Sequence, residues 1–202
     1  MDPAETQREL LGEQAAWRIL SGRSAAPLLP ALRRLSCAEL LLPSPAPRAA
    51  ADTSALCKVL CEALRGCVRR RPGWLYAAIE ETCLPVRVRP ALLCAAVLDC
   101  LRRVLVRGGA AVVECRRCGA GVLLCVRGGR GGGCLPPLWR RMAQEGGGTA
   151  VGSAGPGFAA AAWLPCCSRL PVQKVPGSEE LLGDRFSQIY VFLSEFCAGP
   201  DE

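Results

Sequence analysis

The sequence predicts an α+β protein: a two-layer α/β sandwich in which a mixed β-sheet carries helices on one face, preceded by an N-terminal helical hairpin. Three observations carry this. After Pro90, Leu93, Val97, Leu101, Val104 and Leu105 fall on one helical stripe with Asp99, Arg102, Arg103 and Arg107 opposite, and Gly108-Gly109 stops the pattern, so residues 90–106 read as a helix. Val112, Val113, Val122 and Val126 then flank a polar turn at 116–121, which predicts a hairpin of strands 110–115 and 121–127. Glycines finally bracket two extended pieces, 148–153 and 157–164.

The other elements follow in order. Residues 1–43 hold two amphipathic helices, 4–20 with Leu10, Leu11, Ala15 and Ile19, and 26–42 with Leu28, Leu29, Leu32, Leu35, Leu40 and Leu41. Such a hairpin can pack on its own chain or form a homodimer through Leu28, Leu32 and Leu35. Residues 44–52 are a Pro/Ala linker. Asp52 or Thr53 caps a helix over 54–70 whose apolar face is Leu56, Val59, Leu60, Ala63, Leu64 and Cys67, and Pro72-Gly73 ends it. Residues 74–80 read as a strand and 83–88 as a turn with a short extended piece. A glycine loop (128–133) and a short helix (135–144) follow the hairpin. The tail, 168–202, is expected to add an edge strand at 188–192 or to fold back over the sheet, with 193–196 continuing the strand or turning helical.

Composition narrows the function. The chain has 202 residues, enough for one medium domain and a smaller appendage, and half are apolar but only 5% aromatic, so Ala, Leu and Val must fill the core. The net charge of +7 is modest, and the arginines at 69–71 and 102–103 suit helix ends; without interleaved aromatic residues no nucleic-acid partner is expected. Fourteen cysteines follow an acidic, polar N-terminus with no apolar signal segment, so they are expected as reduced core residues of a cytoplasmic protein. The uncharged stretch 146–168 is broken by glycine and proline and predicts buried strands rather than a membrane span.

Cys115-Arg116-Arg117-Cys118-Gly119 is a metal-like C-x-x-C-G turn, and Cys134, Cys166 or Cys167 are the further thiolates a structural zinc would need. Adjacent Cys166 and Cys167 point to opposite faces of a strand, and no His completes a set. Cys115 and Cys118 are therefore weak metal candidates. No base accompanies any of the thiols for nucleophilic catalysis either.

The sequence Leu84-Pro85-Val86-Arg87, the helix before Gly108-Gly109, the hairpin, the glycine loop and the closing EGGGTAVGSAGPGFAAAAWLP (145–165) together resemble the ATP-binding domain of sensor histidine kinases, a fold shared with gyrase and Hsp90-type ATPases. The resemblance covers about 52–165 and more weakly the leading hairpin, and implies an ATPase-fold domain at 53–167. ATP and Mg²⁺ would be the family cofactors. The family's Mg²⁺-holding Asn falls on Cys100, or Leu101 if the register slips, and neither offers the oxygen a hard cation needs. The Asp that accepts from the adenine amino group falls on Gly128, and Gly132 survives from the same glycine motif. Few residues separate Gly133 from the next helix, so the ATP lid is absent, and without any His there is no phospho-accepting imidazole.

The resemblance thus implies a scaffold without its chemistry: no catalytic residue, no cofactor, and only remnant pocket positions at Cys100, Gly128 and Gly132. The expected role is a non-catalytic binding or regulatory module in bacterial two-component-type signalling, with a kinase or response regulator as partner. Two readings stand beside it. One is a divergent kinase domain that still holds nucleotide on the backbone of 128–133; the other is a structural zinc-ribbon protein.

Overall fold

The computed structural model describes residues 6–7, 10–11, 13–14, 26–68, 73–105, 109–129, 134–153, 157–183 and 187–197. Most of the helix expected over 4–20 lies outside them. Helix α1 (Leu29–Leu41) follows a short 3-10 turn (Ala26–Leu28) and buries Leu32, Ser36 and Leu40, one residue per turn on a single stripe. Strand β1 (Ala51–Asp52) pairs antiparallel with β3 (Pro85–Val86), and Ala50 bridges Val172, so the expected linker gives its last residues to the folded domain.

Helix α2 (Thr53–Val68) starts where a side chain can satisfy its free N–H groups. Asp52 Oδ1 accepts from the N–H of Ser54 at 3.1 Å and of Ala55 at 3.3 Å, which makes Asp52 the N-cap, and it also accepts from the Leu84 N–H at 3.2 Å. Burial alone would raise this carboxyl, but the hydrogen bonds from Leu84, Cys83, Ala55 and Ser54 outweigh it and hold it below the usual carboxylate range. A folded-state pKa below the unfolded one contributes stability above the unfolded value that is lost as pH falls through the folded one. Asp52→Ala should therefore cost about 1 kcal/mol at neutral pH. Urea titrations should show the gap between wild type and variant narrowing as the solution is acidified below the carboxylate range; a pH-independent gap would contradict the assignment.

The main sheet has the order β2-β4-β5-β7-β6, from β2 (Trp74–Ile79), β4 (Ala110–Cys118), β5 (Gly121–Gly128), β6 (Thr149–Gly152) and β7 (Phe158–Pro165). Strand β2 runs parallel to β4 and every other pair is antiparallel, so the sheet is mixed. Alternation decides the faces: Ala111, Val113 and Cys115, and Phe158, Ala160, Ala162 and Leu164, are buried under helices, while Trp74, Tyr76 and Val151 stand exposed on the open face. The hairpin is longer than expected. Its turn is only Gly119-Ala120, because Arg116 pairs with Glu114 at 2.8 Å and the Arg117 N–H donates to Glu80 at 2.7 Å, which carries the ladder through Cys118.

Helices α2, α3 (Pro90–Leu105) and α4 (Pro137–Glu145) form the layer on the covered face. Helix α4 closes in a Schellman arrangement: Gly147 N–H donates to Gln144 and Gly148 N–H to Ala143, at 3.1 and 2.8 Å, and Gly147 takes φ +70°, which a side chain would resist. Two more helices, α5 (Ser178–Gly183) and α6 (Gln188–Cys197), come from the tail.

Helix α6 corrects the edge strand expected at 188–192. Gln, Ile, Tyr, Val and Phe favour strands locally, but Ser187 Oγ accepts from the Tyr190 N–H at 3.0 Å as an N-cap, and Phe192 and Phe196 recur at helical spacing. The helix packs on α1, α2 and α3 and buries Phe192, Leu193 and Phe196 in the main core. As a result α3 is enclosed between the sheet and the outer helices α1 and α6, and twelve of its residues, Leu92–Leu101 with Val104 and Leu105, are buried. No helix among the described residues is long and apolar enough to cross a membrane.

Candidate functional site at the C-terminal end of helix α3

The last turn of α3 comes down on three glycines supplied by three strands. Gly109 enters β4, Gly128 ends β5 and pairs with both Ala111 and Phe158, and Gly157 precedes β7. Val104 sits on the first two. A Cβ built on Gly128 would lie 2.3 and 2.5 Å from the two methyl groups of Val104, and one on Gly109 would lie 2.9 Å from the Val104 carbonyl oxygen. Gly157 is equally tight against Gly128, with its own Cβ position 2.8 Å from the Gly128 carbonyl. Helix and sheet therefore meet without a gap where the resemblance places the adenine-binding carboxylate.

Cys100 lies one helical turn before Val104, on the same sheet-facing stripe, and is fully buried. Burial and then the neighbouring Asp99 carboxylate push its thiol well above the usual range, with only Arg103 opposing, so it stays protonated and apolar in character. It offers a cation neither charge nor oxygen. Asp99 has the oxygen but points to the outer side of α3, where Arg33 of α1 grips it at 2.8 Å and Arg102 and Arg103 stand at 3.6 and 3.7 Å. The Arg33 guanidinium also lies 5.7 Å from the Phe192 ring centroid, so one cluster joins α1, α3 and α6.

Of the remnant pocket positions, Cys100 and Gly128 are thus both packed, and Gly132 lies outside the described residues. Only residues 129–136 connect β5 to α4. The metal-like pair is not brought together. Cys115 faces the core beside Cys57, whereas Cys118 sits half-buried beside the turn and its carbonyl accepts from the Trp163 indole at 3.1 Å. No group of three or more His, Cys, Asp or Glu among the described residues could hold a metal ion. The remaining core thiols are raised as well: burial pushes Cys61 to about 11 and Cys94 to about 12. The sequence shows Val104 on the apolar stripe but not its glycine partners, and gives no sign of Arg33. A contact between α1 and α3 has no local signature.

No family model and no curated protein matches the sequence. Solved structures do. The Acinetobacter baumannii histidine kinase AdeS superposes with a TM-score of 0.52 at 13% identity, covering 81% of this chain and 95% of AdeS. Full-length ShkA in complex with AMPPNP superposes with a TM-score of 0.53 at 15% identity, covering 78% of this chain and 40% of ShkA. The central helix over a five-stranded mixed sheet agrees with these matches: this chain has the histidine-kinase ATPase-type fold.

Proposed function

We propose that this chain is a non-catalytic, histidine-kinase-like protein, a pseudo-ATPase that acts in the cytoplasm by binding another protein in bacterial two-component-type signalling. The observation that supports the reading most is the packing of Val104 on Gly128, the position to which the resemblance assigns the adenine-binding carboxylate: a Cβ there would meet two methyl groups. The lack of any histidine supports it, since no imidazole is available to carry a phosphoryl group. The enclosed thiol of Cys100 supports it for the cation. A protein of this kind would engage a kinase or response regulator through the surface of the fold rather than through phosphoryl transfer. A homodimer through the N-terminal helices would rest on Leu28 and Leu35, which are half-buried, rather than on Leu32, which is buried against Val191 of α6.

The test is thermal unfolding with and without millimolar ATP and Mg²⁺. A ligand at a hundred times its dissociation constant adds about 2.7 kcal/mol, which in a protein of this size is roughly 5–10 °C. The expected result is no shift. A clear rise in Tm would return the chain to the nucleotide-binding members of its fold and end the pseudo-ATPase reading.

A further inference from the structure

Two thiols far apart in sequence lie on paired segments on the end of the sheet away from Val104, one of them in contact with Arg117. Cys83, in the turn between β2 and β3, is exposed, and Cys166, directly after β7, is half-buried. Backbone pairing holds their segments together. Val86 and Cys166 form an antiparallel bridge, the Cys167 N–H donates to the Pro85 carbonyl at 2.8 Å, and the Cys166 N–H donates to the Ala120 carbonyl at 3.1 Å. The Arg117 guanidinium donates to Cys166 Sγ at 3.8 Å. Its charge also acts on Cys83, as does the Cys166 thiol, and the Asp52 carboxylate accepts from the Cys83 thiol.

We propose that Cys166, Cys83 and Arg117 form a thiol-modification site for low-molecular-weight disulfides that bear carboxylates, and that the adduct resolves into a Cys83–Cys166 disulfide. Cys166 attacks one sulfur of the small disulfide RS–SR, forming Cys166–S–SR and expelling RS⁻, which takes up the proton Cys166 gives up. Cys83 then gives its proton to solvent and attacks the Cys166 sulfur; the second RS⁻ leaves and takes up a proton in turn. Two protein thiols are oxidised and one small disulfide is reduced to two thiols. Arg117 serves both steps, as the charge beside the sulfur and as a partner for the carboxylate of the incoming molecule. Partial desolvation of the Cys83 sulfur, followed by the Asp52 carboxylate, raises that thiol, which suits it to act second. The fully buried Cys57, Cys94, Cys100 and Cys115 are out of reach of any such reagent. The cross-link would pin the turn that supports the α2 N-cap to the end of β7, independently of whether the pseudo-ATPase reading holds.

The experiment is incubation of the full chain with oxidised glutathione, acid quenching and non-reducing peptide mapping by mass spectrometry. Wild type should yield a linked Cys83–Cys166 peptide. Cys83→Ser should stop at glutathione on Cys166, and Cys166→Ser should lose the linked peptide and leave Cys83 no more modified than exposed Cys134. Arg117→Met should reduce the early yield at Cys166. The proposal is overturned if wild type forms no cross-link, if it joins Cys166 to Cys167 instead, or if glutathione spreads over Cys118, Cys134 and Cys167 without preference for Cys166.

Discussion

Aspartate at position 128 is expected to destabilise the protein rather than to create a nucleotide site. A Cβ there already falls 2.3 Å from one Val104 methyl group, closer than real atoms pack, and a carboxylate extends further into the same contact. Overpacking costs up to about 3 kcal/mol, and leaving a charged group without partners adds to it. For a domain of this size, Gly128→Asp should melt about 6–12 °C below wild type. The smaller change Gly128→Ala isolates the steric part. Val104→Ala alone should cost about 2 kcal/mol as a cavity, yet Val104→Ala with Gly128→Ala should be more stable than the two single losses summed, by at least about 1 kcal/mol. A Gly128→Asp protein that folds normally and gains stability with ATP would show that the pocket is open.

Asp99→Ala should be comparably severe for an electrostatic reason. The carboxylate is 8% exposed and is the common anion for Arg33, Arg102 and Arg103. Removing it leaves three guanidinium groups facing one another beside the core, and breaking a buried pair from one side costs about 3 kcal/mol. Arg33→Met should cost less, since Asp99 keeps two partners and the methionine retains part of the packing on Phe192. Denaturant midpoints measure both. Equal losses for the two variants would mean that the cluster does not act as described, and a change in m-value for Asp99→Ala would mean that α1 and α6 separate from α3 before the sheet melts.

Most of the domain was legible because its signals are local. Helix α3, the strands of the hairpin, helix α4 and the final pair of strands lie within a residue or two of their expected positions, apart from the hairpin turn, since periodicity and glycine punctuation are carried within each segment. The hairpin turn is narrower than the sequence suggests for a physical reason: Arg116 and Arg117 look like loop residues in isolation, but Glu114 on the same strand and Glu80, just past the end of β2, neutralise or bind them. Helix α6 was misread because its strand-favouring residues outweigh the single Ser187 cap until Phe192 and Phe196 have a partner surface on α3. At the candidate site, glycine at 128 and cysteine at 100 can be read directly from the sequence. What packs around them cannot, because Val104 over Gly128 and Arg33 over Asp99 are contacts between segments far apart in the chain.

The enclosure of α3 also sets an order on how the protein can be made. The sheet and the helices that pack directly on it are complete once residue 165 has been synthesised, but the outer side of α3 then still displays the surface that Phe192, Leu193 and Phe196 will cover. Until α6 has been translated, the nascent chain holds an almost finished domain with an apolar helix open to water. Pairing between such distant segments slows the final step of folding. A ribosome that stalls between β7 and α6 would therefore present the most aggregation-prone state of this chain, and the likeliest moment for a chaperone to meet it is set by the arrival of ten residues near position 190.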